Sequence, residues 1–123
     1  IIPSKNIDNT PHEYHLVNDA ASRQNLIQEL LKQKEICFDT ETTGLDAHEA
    51  ELVGLSFSFK VGEGYYIPLS ENQEECKAVL EEFRPVFENE NIRKIGQNIK
   101  YDLLILKWCN INLKGELFDT MLA

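Results

Sequence analysis

Basic residues are scarce in this sequence: twelve lysines and arginines stand against 21 acids, for a net charge of −9. Modules that hold nucleic acid by neutralising phosphate carry basic patches, so composition speaks against that mode. A second mode stays open, in which carboxylates hold divalent cations that in turn meet phosphate. Long apolar runs are missing too. No stretch approaches the ~20 residues that a membrane span needs, so no membrane role is expected. Cysteines number three, Cys37, Cys76 and Cys109, widely spaced and set in apolar segments. No Cys-x-x-Cys or mixed Cys/His group suggests zinc, and His12, His15 and His48 share no ligand spacing. The thiols read as buried and reduced, which points to a cytoplasmic setting. The chain opens at Ile1-Ile2-Pro3-Ser4-Lys5 with neither Met nor a signal-peptide pattern, and stops inside the apolar run Met121-Leu122-Ala123. It therefore reads as a piece of something longer.

What is present fits one soluble domain: 123 residues, 42% hydrophobic and 27% charged. Residues 1–12 are polar, carry Pro3 and Pro11, and read as a linker ahead of a unit over 13–123. Tyr14 to Val17 suits a short strand, and Asp19 or Ser22 can cap a helix over about 20–33 with Leu26, Ile27, Leu30 and Leu31 on one stripe. Ile36-Cys37-Phe38 predicts a buried strand. Val53, Leu55, Phe57 and Phe59 alternate with small residues, the period-2 signature of a sheet. Gly62-Glu63-Gly64 turns the chain into Tyr65–Leu69, expected at a sheet edge because of Pro68. Ser70 with Gln73 suggests a capping box for a helix through Cys76, Val79, Leu80, Phe83 and Phe87, with Pro85 expected to kink or restart it. Ile92–Ile95 reads as a strand ended by Gly96, Asn98 can cap a helix to about Cys109, and Leu117-Phe118 is a last strand. The order is a strand and helix followed by β-β-β-α-β-α-β, an α/β fold with a mixed sheet flanked by helices. In such sheets the functional crevice lies at the strand ends.

Asp39 and Glu41 stand where the run Ile36–Phe38 gives out. At i and i+2 on a strand, their carboxylates project to one side and can converge on a hard cation such as magnesium. The same pair can equally solubilise a strand end. Asp102 falls in the first turn or so of the predicted helix, where the helix dipole favours a carboxylate with or without chemistry. Both segments in this order and topology are what the plainer readings leave unexplained.

Asp39-x-Glu41 and Asn98-x-x-x-Asp102 together resemble the first two motifs of the proofreading 3′–5′ exonuclease domain of family A DNA polymerases. That domain belongs to the ribonuclease H-like superfamily of exonucleases with three Asp and one Glu. The run Gly96-Gln97-Asn98-Ile99-Lys100-Tyr101-Asp102 is similar to the polymerase form of the second motif throughout. Thr43-Gly44-Leu45-Asp46, Leu52–Phe57 and Phe118-Asp119-Thr120-Met121-Leu122 are similar as well. The resemblance implies a ribonuclease H-like fold and two divalent cations, Mg2+ or Mn2+. Asp39 would bridge both, Glu41 would bind one and help place the attacking water, and Asp102 would ligate the other largely through water. It further implies that Gln97, Asn98 and Tyr101 contact the single-stranded 3′ end of DNA. Leu45 is read either as a wedge between the last bases or as a core leucine, Asn98 as a helix cap, a contact or both, and Lys100 as a phosphate neighbour or a solvated charge. The family's third motif, Tyr-x-x-x-Asp, is missing, since no tyrosine follows Tyr101. The chain is thus expected to be the front part of an exonuclease domain joined to a polymerase domain, weak or inactive alone. Two other readings are a ribonuclease D-like RNA exonuclease and a non-catalytic spacer of a polymerase.

Overall fold

The computed structural model of the chain describes residues 13–43, 51–60 and 62–120. Six strands and three helices follow one another as β1 Glu13–Leu16, α1 Ala20–Leu31, β2 Glu35–Thr42, β3 Leu52–Ser58, β4 Glu63–Pro68, α2 Gln73–Phe87, β5 Arg93–Gly96, α3 Ile99–Trp108 and β6 Leu117–Asp119. The strands form one mixed sheet in the order β1-β4-β3-β2-β5-β6. β2, β3 and β4 run antiparallel to their neighbours in a meander, whereas β1 joins β4, β5 joins β2 and β6 joins β5 in parallel. Parallel neighbours need crossover connections, and α2 and α3 supply them on the β5–β6 side.

Alternation along β2 and β3 decides where the core lies. Ile36 and Phe38 on β2, with Leu55 and Phe57 on β3, point to one face and are buried. Apolar side chains of all three helices join them there in a single cluster. Its centre is aromatic: Phe57 stacks on Phe83 of α2 with centroids 5.3 Å apart, and Phe87 meets Phe38 edge-on at 5.4 Å. The opposite face carries Cys37, Asp39, Ser56, Ser58 and Tyr66, and lines an open groove of about 370 Å³. At its β1 margin Tyr14 and Leu16 are 69% and 62% exposed.

Several local expectations are replaced by more specific arrangements. β2 runs past Phe38 through Asp39 and Glu41, keeping both acids on a strand as expected, and there pairs to Ser56 and Gly54 of β3, with a register shift between Glu41 and Thr42. β4 is an interior strand, because β1 pairs along it from Glu63 to Tyr66; Pro68 lies past the end of that pairing, where its missing N–H costs nothing. α2 is capped by Asn72, whose side chain accepts from the backbone N–H of Glu74 and Glu75, so Ser70 is not the cap. Ser70 instead accepts from Asn72 N–H and donates to Glu75. The same helix runs through Pro85 to Phe87. Asp19 caps α1 as expected, accepting from Ser22 N–H at 2.7 Å. Cys37 is exposed, so only Cys76 of the three thiols is buried.

Candidate active site

Parallel pairing of Cys37 with Ile95, and of Gly96 with Asp119, brings the C-terminal ends of β2, β5 and β6 side by side. The turn Gln97-Asn98 leads from there into α3. Asp39 is half-buried on β2, and the backbone N–H of Gln97 donates to its carboxylate across this junction. Glu41, two residues on, has the same strand parity and stands exposed.

Asp102, in the first turn of α3, is only 3% exposed. Its Oδ1 accepts from the Thr40 hydroxyl at 2.6 Å and from Thr40 N–H at 3.4 Å. Its Oδ2 is buried and has no hydrogen-bond partner. A Cβ on Gly96 would lie 3.4 Å from that oxygen and 3.0 Å from the Ile99 side chain, so the absence of a side chain at 96 is what lets α3 come this close to β5. Burial pushes the Asp102 carboxyl up to about 6, the Thr40 hydroxyl opposes this, and the charges of Asp39 and Glu41 add to it. Asp39 is raised for the same reasons, burial first and then Glu41. Among the described residues no cation figures in the charges acting on either group. Burial and neighbouring carboxylates thus raise both Asp39 and Asp102, Glu41 acting on each of them.

Such a cluster is what a hard cation resolves. The donors are all oxygens, which suits magnesium rather than zinc. Among the described residues no group of three or more His, Cys, Asp or Glu side chains is placed to hold a metal by itself. Magnesium commonly takes only one or two carboxylates and completes its shell with water and substrate phosphate. The unpartnered Asp102 oxygen beside Asp39 and Glu41 fits that use.

The other residues singled out in the sequence fall around this centre. Tyr101 shares a hydrogen bond with the Thr42 hydroxyl at 3.0 Å and so sits at the rim beside Glu41. Gln97 and Asn98 are exposed in the connecting turn, and Lys100 is exposed on α3. Asn98 occupies the N-cap position without making a side-chain cap. The cap comes from Asp119 on β6, whose Oδ2 accepts from Ile99 N–H at 3.2 Å. Leu45 lies outside the described residues. Sequence reasoning missed Thr40 and Asp119; Asp119 stood in a run noted as similar to the exonucleases, but no role followed from it.

Residues 14–123 match the 3′–5′ exonuclease family of A-type DNA polymerases. The chain is 40% identical over 120 residues to DNA polymerase I of Borreliella burgdorferi, covering 95% of this chain and 13% of the relative. It is 38% identical over 118 residues to DNA polymerase I of Pseudomonas aeruginosa, covering 89% and 13%. The chain thus spans about an eighth of the length of the polymerases it resembles. Among solved structures, Trypanosoma brucei RNase D bound to RNA U12 superposes with a TM-score of 0.74 at 11% identity, over 88% of this chain and 37% of that one. The catalytic core of T. brucei RRP6 gives 0.69 at 21% identity, over 90% and 29%. At these identities the two structures speak for the fold alone.

Proposed function

The chain belongs to the 3′–5′ exonuclease family of A-type DNA polymerases, and on that premise we propose that Asp39, Glu41 and Asp102 form its hydrolytic centre, acting on the single-stranded 3′ end of DNA. The fold is the ribonuclease H-like mixed sheet, and the family carries a dependence on divalent metal. The observation that carries the residue assignment is the buried Asp102 carboxylate, with one oxygen unpartnered among the described residues, next to two further acids.

Asp39 would hold both metal ions, Glu41 one of them, and Asp102 the other. The all-oxygen donor set favours Mg2+, with Mn2+ as its substitute. When bound, two such ions would supply a hydroxide-like water at neutral pH and would neutralise charge on the phosphoryl oxygens and the leaving 3′ oxygen. The chain's own contribution is positional. Thr40 holds Asp102 through its hydroxyl, Gln97 N–H orients Asp39, and Asp119 fixes the start of α3. Glu41, exposed beside the Thr42–Tyr101 pair, orients the attacking water. Gln97, Asn98 and Tyr101 contact the single-stranded 3′ end. Few base-edge contacts are needed, which suits removal of any nucleotide. The polymerase domain of the parent chain delivers the frayed end. A reducing, cytoplasmic setting is part of this reading, and the three free thiols are compatible with it.

Titration with Mn2+, followed by NMR line broadening, tests the metal assignment. Saturable broadening centred on Asp39, Glu41 and Asp102, abolished in Asp39→Asn, is the expected result; broadening spread over the acidic surface would overturn it. The RNA reading has the RNase D fold likeness on its side, but the polymerase relatives at 38–40% identity favour DNA. Hydrolysis of matched DNA and RNA single strands by the parent polymerase decides between them, with DNA degraded at least tenfold faster on this reading.

A further inference from the structure

Gly54 of β3 is the pairing partner of Glu41 on β2, and Ser56 is that of Asp39. On its other side Ser56 pairs with Tyr66 of β4. Asp39, Ser56 and Tyr66 thus form one row across the sheet, on the face of the open groove that all three line. Glu41 and Gly54 belong to the next row. Directly opposed residues of an antiparallel pair point to the same face, so a side chain at 54 would stand beside that of Glu41.

The Tyr66 ring takes that place. A Cβ at Gly54 would collide with the Tyr66 hydroxyl and lie 2.5 Å from Cζ and 2.7 Å from Cε1. The ring therefore leans from its own row into the next, and Gly54 lies buried beneath it. Opposed Cβ atoms are about 5 Å apart, which puts the hydroxyl about 5 Å from the Glu41 Cβ. Aromatic cover over a glycine is a packing device, and a phenyl ring would serve it equally. What packing leaves unexplained is the hydroxyl, which meets no hydrogen-bond partner among the described residues. The Glu41 side chain beside it is exposed, and a gap of this size between a phenol and a carboxylate takes one bridging water.

We propose that the Tyr66 hydroxyl is a further catalytic group of the hydrolytic centre, sharing a hydrogen bond with the attacking water that Glu41 orients. The reaction rests on the exonuclease reading; the place rests on the contact over Gly54. An ionised carboxylate only accepts, so Glu41 alone leaves the water free to swing about one bond. A phenol both donates and accepts, and a second fixed partner on the β4 side removes that freedom. Gly54 is the condition for this, because a side chain there would push the hydroxyl away from the acids.

The test compares the parent polymerase with its Tyr66→Phe variant, which keeps the ring over Gly54 and removes one oxygen. On single-stranded DNA the variant should lose about tenfold to a hundredfold in kcat, the worth of one hydrogen bond to an ionised partner, with KM unchanged. Its unfolding midpoint should stay that of the wild type. A second readout needs no turnover. With meta-fluorotyrosine in place of tyrosine, the fluorine resonance lost in Tyr66→Phe belongs to residue 66. Mn2+ should broaden that resonance saturably in the wild type and leave it sharp in Asp39→Asn. Wild-type kcat in Tyr66→Phe, a loss of kcat matched by a lower unfolding midpoint, or a Tyr66 signal indifferent to Mn2+ would overturn the proposal. Hydrolysis that survives Tyr66→Phe intact counts against Tyr66 alone. A wild-type polymerase without metal-dependent hydrolysis of single strands removes the exonuclease reading, and the proposal with it.

Discussion

At the scale of single residues, Asp102 holds a charge where water scarcely reaches. Its carboxyl is raised from 3.8 to about 6 by burial. The sign of the linked stability effect follows. Between these two values the folded chain binds more protons than the unfolded one, so stability falls as pH rises from about 4 to 6 and the loss is complete above that. The full shift corresponds to a penalty on the order of 3 kcal/mol at neutral pH. Asp102→Asn should therefore raise the midpoint of urea unfolding at pH 7.5 without metal, and lose that advantage near pH 4. The same variant should abolish Mn2+ binding. A variant less stable than the parent chain at pH 7.5 would mean that the buried oxygen has a partner worth more than its desolvation. Asp39, Glu41 and Asp102 were legible because each stands in a short contiguous motif. Thr40 was not, since its bond to Asp102 spans 62 positions. A threonine between two acids on a strand reads only as a β-branched residue with good propensity.

Among elements, β5 shows a feature that alternation half revealed. Ile92 and Lys94 share parity, and both are buried, Lys94 completely. A lysine in a strand reads as a solvent-facing residue. Here its ammonium donates to the carbonyls of Asn89 and Lys114, each at 2.6 Å, and so ties the turn after α2 to the segment leading into β6. Burial pushes its amine down to about 8, so the ammonium still dominates at pH 7. Lys94→Met keeps the apolar stem and removes both donors. It should destabilise the chain by about 2 kcal/mol, the usual result of stranding buried acceptors, measured as a lower unfolding midpoint at pH 7. An unchanged midpoint would show the carbonyls to be satisfied by water. The strands and helices themselves were readable from period-2 and 3.6-residue patterns, and Asp19 as a cap from its residue type. The cap of α2 was misplaced by two residues because Ser70, Asn72 and Glu75 compete for the same role within one turn. The place of β4 inside the sheet depends on β1, a partner some fifty residues earlier, with no local trace.

For the molecule as a whole, charge and the one-sided core set the behaviour. With a net charge of −9, the chain should repel a polyanion unless divalent ions mediate. Single-stranded DNA of ten nucleotides is expected to show no measurable anisotropy change in EDTA at 100 mM salt and saturable binding once 5 mM Ca2+ is added. Tight binding in EDTA would instead point to a cationic track and count against the metal-centred site. The α/β class was apparent from element order. The open groove on the far face was not, because Cys37, Ser56 and Ser58 read as ordinary alternation until their burial is known.

The bond from Asp119 to the start of α3 has a consequence for biosynthesis. The helix bearing Asp102 leaves the ribosome before the carboxylate that seats it, which follows Ile99 by 20 residues. At about 5–20 residues per second the delay is roughly one to four seconds, long compared with helix formation itself. During that interval the segment is a nascent helix whose first amide has no acceptor from the sheet. Translation through β6 thus sets when the last of the three acids takes its final place.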